Sequence, residues 1–178
     1  MSVEILGYAS ALLFGLAFAF YHPRLSLITS VSASGCLATY CLLSGSPATA
    51  FYSLFSVGLT LLALRVSEKH LKKLVGGYVA ALWVITLFTL ANPLELLATL
   101  GNSCSGLARL GRDDFWCFRW YMMLGNGLWI FYGWFIDSAP IMLSTGVIVS
   151  VSAITMLKYA NWPAVAAFFK HKVKFAAA

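Results

Sequence analysis

The chain alternates long apolar runs with short polar breaks, and the length of the runs is the first clue to what they form. A bilayer core of about 30 Å is crossed by roughly 20 apolar residues in a helix. By that measure residues 5–23 form one span and residues 25–64 are long enough for two, with Ser44-Gly45-Ser46-Pro47 as the turn where a hairpin breaks. Residues 74–94 form a further span ending near Asn92-Pro93. Residues 120–136 and 138–157 make another hairpin, turning at Asp137-Ser138-Ala139-Pro140, where proline suits the first turn of the next helix. The run 96–108 is short and carries Asn102, Ser103 and Ser105, so hydropathy alone does not make it a span.

The distribution of basic residues decides that run. If 96–108 crosses, all 12 Lys and Arg fall on one side, in four groups: Arg24; Arg65, Lys69, Lys72 and Lys73; Arg109, Arg112 and Arg119; Lys158, Lys170, Lys172 and Lys174. Without the crossing, the last seven move across and the asymmetry vanishes. Cytoplasmic loops concentrate Lys and Arg, so the pattern predicts an all-α membrane protein of seven transmembrane helices, N-out and C-in. The outer loops hold Glu4, Glu95 and Asp137. Asp113 and Asp114, among Arg109, Arg112 and Arg119, are expected to form a solvated charge cluster in a cytoplasmic loop.

Composition agrees. Of 178 residues, 61% are hydrophobic and 10% charged, more apolar surface than a water-soluble core of this size hides. The net charge of +6 reads as sidedness rather than nucleic-acid binding, because the charges cluster between apolar runs. Met1-Ser2-Val3-Glu4 lacks the basic leader of a cleavable signal, so the first run is expected to stay as a helix. Apolar then basic residues in the tail suggest a short interfacial helix on the cytoplasmic leaflet.

Chemistry for catalysis is sparse. Cys36, Cys41, Cys104 and Cys117 show no CxxC spacing, and His22, His70 and His171 have no ligand-spaced partner. GxSxG and phosphate-binding glycine loops are absent. Neither an enzyme nor a metal or other cofactor is expected. The expected partners are a small-molecule solute and the lipid bilayer, with the chain a monomer or a homodimer.

The two hairpins resemble each other. A shift of 92 residues sets Gly35 on Gly127, Tyr40 on Tyr132, Ser46 on Ser138 and Ser53 on Thr145, with Pro47 and Pro140 one residue out of step. With the helix count this predicts a 3+1+3 organisation. Residues 1–66 form a first triple-helix bundle, 67–92 a linker helix, 93–159 a second bundle and 160–178 a basic cytoplasmic tail. An odd linker helix makes the repeats parallel, related by an axis along the membrane normal, with a cavity between them near the midplane.

The stretch Asn126-Gly127-Leu128-Trp129-Ile130-Phe131-Tyr132-Gly133, followed by Pro140 and Lys158-Tyr159, resembles the SWEET and SemiSWEET transporters with their PQ-loop triple-helix bundles. The whole chain is similar to the bacterial inner-membrane YgjV family, through residues 7–18, Pro93-Leu94-Glu95-Leu96-Leu97 with Gly101, and residues 119–133. The resemblance implies a SWEET-like fold, the bacterial inner membrane and transport by alternating access. SemiSWEETs line their sugar pocket with a Trp and an Asn sixteen residues later. That Trp matches Trp129; the Asn position falls on Thr145, beside Ser144, and the first-repeat equivalents are Leu37 and Ser53.

Polar groups in hydrocarbon are costly unless paired or facing water, which singles out Asn102 and Asn126 near the middle of their runs. Each is a candidate ligand or an interhelical bond. Trp129 is a candidate for stacking on a solute or for packing, whereas Trp116, Trp120, Trp134 and Trp162 sit near helix ends, where an interfacial belt is expected. Ser26, Ser30, Ser34 and Ala38 recur every four residues, a stripe suited to close helix packing. The candidate solute-binding set is therefore Trp129, Asn126, Thr145, Ser144, Ser53, Asn102 and Tyr40. No carboxylate lies deep in a run, which favours a facilitator. The alternatives are a SWEET-fold receptor without transport and a nicotinamide-riboside-type vitamin transporter.

Overall fold

Proline, whose ring fixes φ and whose missing N–H costs nothing in the first turn, occupies one of the first two positions of three helices: α2 (Pro23–Leu43), α3 (Pro47–Arg65) and α7 (Ala139–Tyr159). The turns entering α3 and α7 both need a left-handed residue, Gly45 at φ 79° and Asp137 at φ 52°, and glycine and aspartate are among the few residues that adopt it readily. The computed structural model describes residues 3–89 and 92–160, without the side chains of Ala48 and Thr89. The interfacial helix expected in the tail lies outside the described residues. The remaining helices are α1 (Val3–Ala19), α4 (Glu68–Thr89), α5 (Glu95–Ala108) and α6 (Phe115–Phe135), with a single 3-10 turn, Arg109–Gly111, after α5. Among the described residues there are thus seven α-helices and no strand.

Among the described residues three helices are long and apolar enough to cross a membrane: α2, residues Glu68–Phe88 of α4, and α7. α1 and most of α3 are shorter apolar helices. Large side chains such as Leu12, Leu16, Phe88, Phe131, Trp134 and Ile154 lie exposed, an outer surface suited to lipid. α6 begins at Phe115, before the apolar run that predicted it, because Asp114 caps it by accepting from the Trp116 and Cys117 N–H groups at 2.9 and 3.1 Å. That cap draws Arg119 into the helix.

α1 packs against α2 and α7, α2 against α3, and α6 against both α5 and α7, while α4 lies on α5 with a lighter contact to α3. α5 has 14 residues, about 21 Å of helix, and eight of them, including Asn102, Ser103 and Ser105, are buried. Its polar residues face protein rather than lipid. α5 and α6 cross closely at a glycine pair: a Cβ on Gly125 would stand 2.6 Å from the Gly101 carbonyl oxygen, and one on Gly101 2.9 Å from the Gly125 oxygen.

Candidate functional site

Two polar stripes meet inside the helices. On α3, Thr49, Ser53, Ser56 and Thr60 recur at intervals of three and four, which puts them on one face. On α5 and the turn after it, Asn102, Ser105 and Arg109 do the same. Between them lies a cavity of about 80 Å3 lined by Ser53, Ser56, Asn102, Ser105 and Arg109. Phe14, Ser30, Ser34, Asn126, Trp129, Thr145 and Ile148 are among the other lining residues, so every helix except α4 contributes.

Five of the seven candidate residues therefore share this wall: Trp129, Asn126, Thr145, Ser53 and Asn102. The Asn126 amide donates to the Met122 carbonyl at 2.8 Å, Thr145 to the Ile141 carbonyl at 2.8 Å and Ser53 to the Thr49 carbonyl at 3.0 Å. These bonds satisfy each group within its own helix and leave oxygens able to accept more. The Asn102 Nδ2 is buried without a hydrogen-bond partner. Trp129 is held edge-on by Tyr132 at 5.1 Å and Tyr52 at 6.5 Å between centroids.

The other two candidates lie elsewhere. Ser144 is fully buried in the α1–α7 contact, donating to the Pro140 carbonyl at 2.7 Å with its hydroxyl 3.1 Å from that of Ser10. Neighbouring residues on a helix point about 100° apart, so Thr145 faces the cavity and Ser144 faces α1. Tyr40 lines a second space of about 560 Å3, a vestibule that Glu4, Tyr8, Tyr132 and Asp137 also line. Thr49 and Ile141 border both spaces, and the Thr49 and Tyr132 hydroxyls are 3.4 Å apart across the partition.

The opposite end is closed by arginines. Of the expected solvated cluster Asp113 and Asp114 are exposed, but the arginines are buried: Arg109 is 4% exposed, Arg112 7% and Arg119 0%. Each reaches the far half of the molecule. Arg112 donates to the carbonyls of Ala63 and, at 3.0 Å, Val66 at the end of α3, groups that a helix terminus leaves without partners. Arg119 donates to the Phe20 carbonyl, lies 3.5 Å from the Ser26 hydroxyl, and has its guanidinium 5.3 to 5.7 Å from the ring centroids of Phe18, Phe115 and Phe118. A loop arginine in the sequence signals topology; its burial follows only when the α5–α6 corner packs beneath the ends of α1 and α3. The signal that could have found Arg109 is its position seven residues after Asn102, on the same helical face.

Asp113 and Asp114 stay exposed at this corner, with Asp113 paired with Arg24 at 2.6 Å and lying 3.4 Å from Arg112 Nε. The hydrogen bond from Arg24, then the nearby positive charges, hold the Asp113 carboxyl below the usual range. A depressed acid contributes stability above its unfolded pKa and loses it as pH falls through the folded value. Asp113→Asn is therefore expected to cost under about 1 kcal/mol at neutral pH, since the pair is exposed. The gap between variant and wild type should close in acid below the ordinary carboxylate range, read by thermal unfolding in detergent across pH.

Against known proteins, the Imp-YgjV family model, described as a bacterial inner membrane protein, matches residues 1–162. No curated protein and no solved structure matches the chain.

Proposed function

The chain belongs to the Imp-YgjV family of bacterial inner membrane proteins, and from that premise we propose that it carries a small polar solute across the inner membrane by alternating access. The cavity between α1–α3 and α5–α7, with Ser53, Ser56, Asn102 and Asn126 in its wall, is the observation that carries the reading. Polar groups are kept inside a membrane protein where they face one another or water, and here they converge on a space rather than merely on each other. Towards the vestibule, the Thr49–Tyr132 contact and Ile141 lie between the two spaces. On the other side Arg112, Arg119 and the Arg24–Asp113 pair bridge the same two groups of helices. Contacts of this kind at both ends suit an occluded state, and their alternate release would open one side at a time.

This reading takes α1–α3 and α5–α7 as two parallel triple-helix units, joined by α4 in a 3+1+3, SWEET-like arrangement. Supporting it, α4 contributes nothing to the cavity wall. The orientation is N-out and C-in. Supporting that, the bonds of Arg24, Arg112 and Arg119 gather the basic corners at one end, while Glu4 and Asp137 line the vestibule at the other. Size narrows the solute. A cavity of about 80 Å3 holds several waters but falls well below the roughly 300 Å3 of a typical drug-sized site. In this conformation the cavity suits a solute of few heavy atoms, and a riboside enters only if the helices part.

The test is a thermal-stabilisation screen of the purified protein against small solutes, followed by liposome counterflow for any that stabilise it. Trp129→Ala and Asn126→Leu are expected to abolish exchange while expressing normally, because both line the cavity from α6. Full exchange in both variants would remove this site. Stabilisation without exchange would move the protein to the receptor reading.

A further inference from the structure

We infer that the solute taken into the central cavity is anionic: a small carboxylate held between the Arg109 guanidinium and the Asn102 amide. The inference rests on the carrier reading above and adds the chemical class of its cargo.

Arg109 borders the cavity and is 4% exposed, yet every partner it has is neutral. Its Nε donates to Thr60 Oγ1 at 3.2 Å, its Nη2 to Ser56 Oγ at 2.6 Å and Thr60 Oγ1 at 2.8 Å, and its Nη1 to the Ser105 carbonyl. Among the described residues the ion pairs are those of Arg24 and Arg112, both with Asp113. The other nearby acid, Asp114, is occupied in capping α6. A buried cation without a counter-charge is costly, and a hydroxyl cluster offsets only part of that cost. An anion in the cavity supplies the rest.

A second, independent observation points the same way. The Asn102 Nδ2 is buried, borders the same cavity and has no partner. Ser56 Oγ accepts from Arg109, with the Tyr78 phenol beside it. The Ser105 hydroxyl makes no hydrogen bond among the described residues. The unclaimed donors beside the guanidinium are the Asn102 amide, the Ser105 hydroxyl and the second Nη1 hydrogen of Arg109. Donors converging beside a guanidinium suit an oxyanion, since charge-assisted bonds to a carboxylate are the strong ones available here. The cavity of about 80 Å3 limits the acid to roughly two to four carbons.

The experiment uses the purified full chain in detergent, with chloride holding ionic strength constant. The probes are acetate, lactate and inorganic phosphate, with acetamide and lactamide as neutral partners of the same shape. Thermal midpoints are followed by lactate counterflow in proteoliposomes. Acetate and lactate are expected to raise the midpoint and lactate to exchange, while the amides do neither. Asn102→Leu and Ser105→Ala should weaken lactate binding roughly ten- to hundredfold each, and Arg109→Gln should erase the preference for acid over amide. If Arg109→Gln does not fold, the other two variants carry the test, because both leave Arg109 bonded to Ser56 and Thr60.

Equal stabilisation by lactate and lactamide, or an acid preference that survives Arg109→Gln, overturns the anion inference while leaving a carrier of neutral solutes. Phosphate binding without carboxylate binding overturns the carboxylate assignment. Arg109-dependent lactate binding with no counterflow supports the anion site and overturns the carrier reading beneath it. No binding by any acid overturns the inference outright.

Discussion

Arg119→Ala is expected to lower stability by about 3 kcal/mol, enough to deplete the folded protein in detergent. The side chain is fully buried at the centre of an α1–α2–α6–α7 junction. Truncation leaves the part-buried Phe20 carbonyl only the 3.4 Å bond from Ser26 Oγ, a loss of about 1 kcal/mol, and opens a cavity among Phe18, Phe115 and Phe118 that adds about 2 kcal/mol. Two further variants separate charge from volume. Arg119→Lys keeps the charge but loses the planar fork that reaches Phe20 and lies among the rings, so it should be destabilised too. Arg119→Met keeps the stem and removes the cost of burying a charge, so it should be the mildest of the three. Thermal midpoints in one detergent rank them, and a wild-type midpoint for Arg119→Ala would show that the junction does not depend on this residue.

The second large effect is expected at the glycine crossing. In Gly125→Ala the new methyl would meet the Gly101 carbonyl oxygen at 2.6 Å, the Ser105 Oγ at 2.7 Å and the Ser105 nitrogen at 3.1 Å. Two of these are backbone atoms of α5, which cannot rotate away as a side chain can. The helices must separate, at a cost of about 1–3 kcal/mol for the alanine and more for Gly125→Val. Because Asn102, Trp129 and Asn126 line the cavity around this crossing, solute exchange should fall even where enough protein folds. Gly127, two residues on, has nothing within 4 Å of a built Cβ. Gly127→Ala is thus the control, expected to leave the thermal midpoint within about 0.5 kcal/mol of wild type.

Much of the helix plan is legible in one dimension because the solvent is. Lipid demands long apolar runs, proline and Gly45 mark where they turn, and the one-sided placement of Lys and Arg counts an element that hydropathy leaves open. α5 shows why the count was needed. Its Asn102, Ser103 and Ser105 lower its hydropathy because they are buried against protein, and burial among other helices is not a property of a run of residues.

The polar residues of the central wall divide along the same line. Asn102, Asn126 and Trp129 stand out in the sequence, since an amide or an indole away from a helix end calls for a partner. Thr145 and Ser144 do not separate until α1 packs on α7 and takes the serine hydroxyl against Ser10. Tyr40 pairs with Tyr132 in the repeat, but its place along the helix axis puts it in the vestibule.

By itself, then, the sequence determined the all-helical membrane class and the breaks between helices, because each is dictated by the chain's own apolar lengths and turn residues. Tertiary structure alone decided that Arg109, Arg112 and Arg119 turn inward, that Gly125 meets Gly101, and that the stripes on α3 and α5 face each other across a space. Those depend on the distance between helices far apart in sequence, which no local pattern encodes.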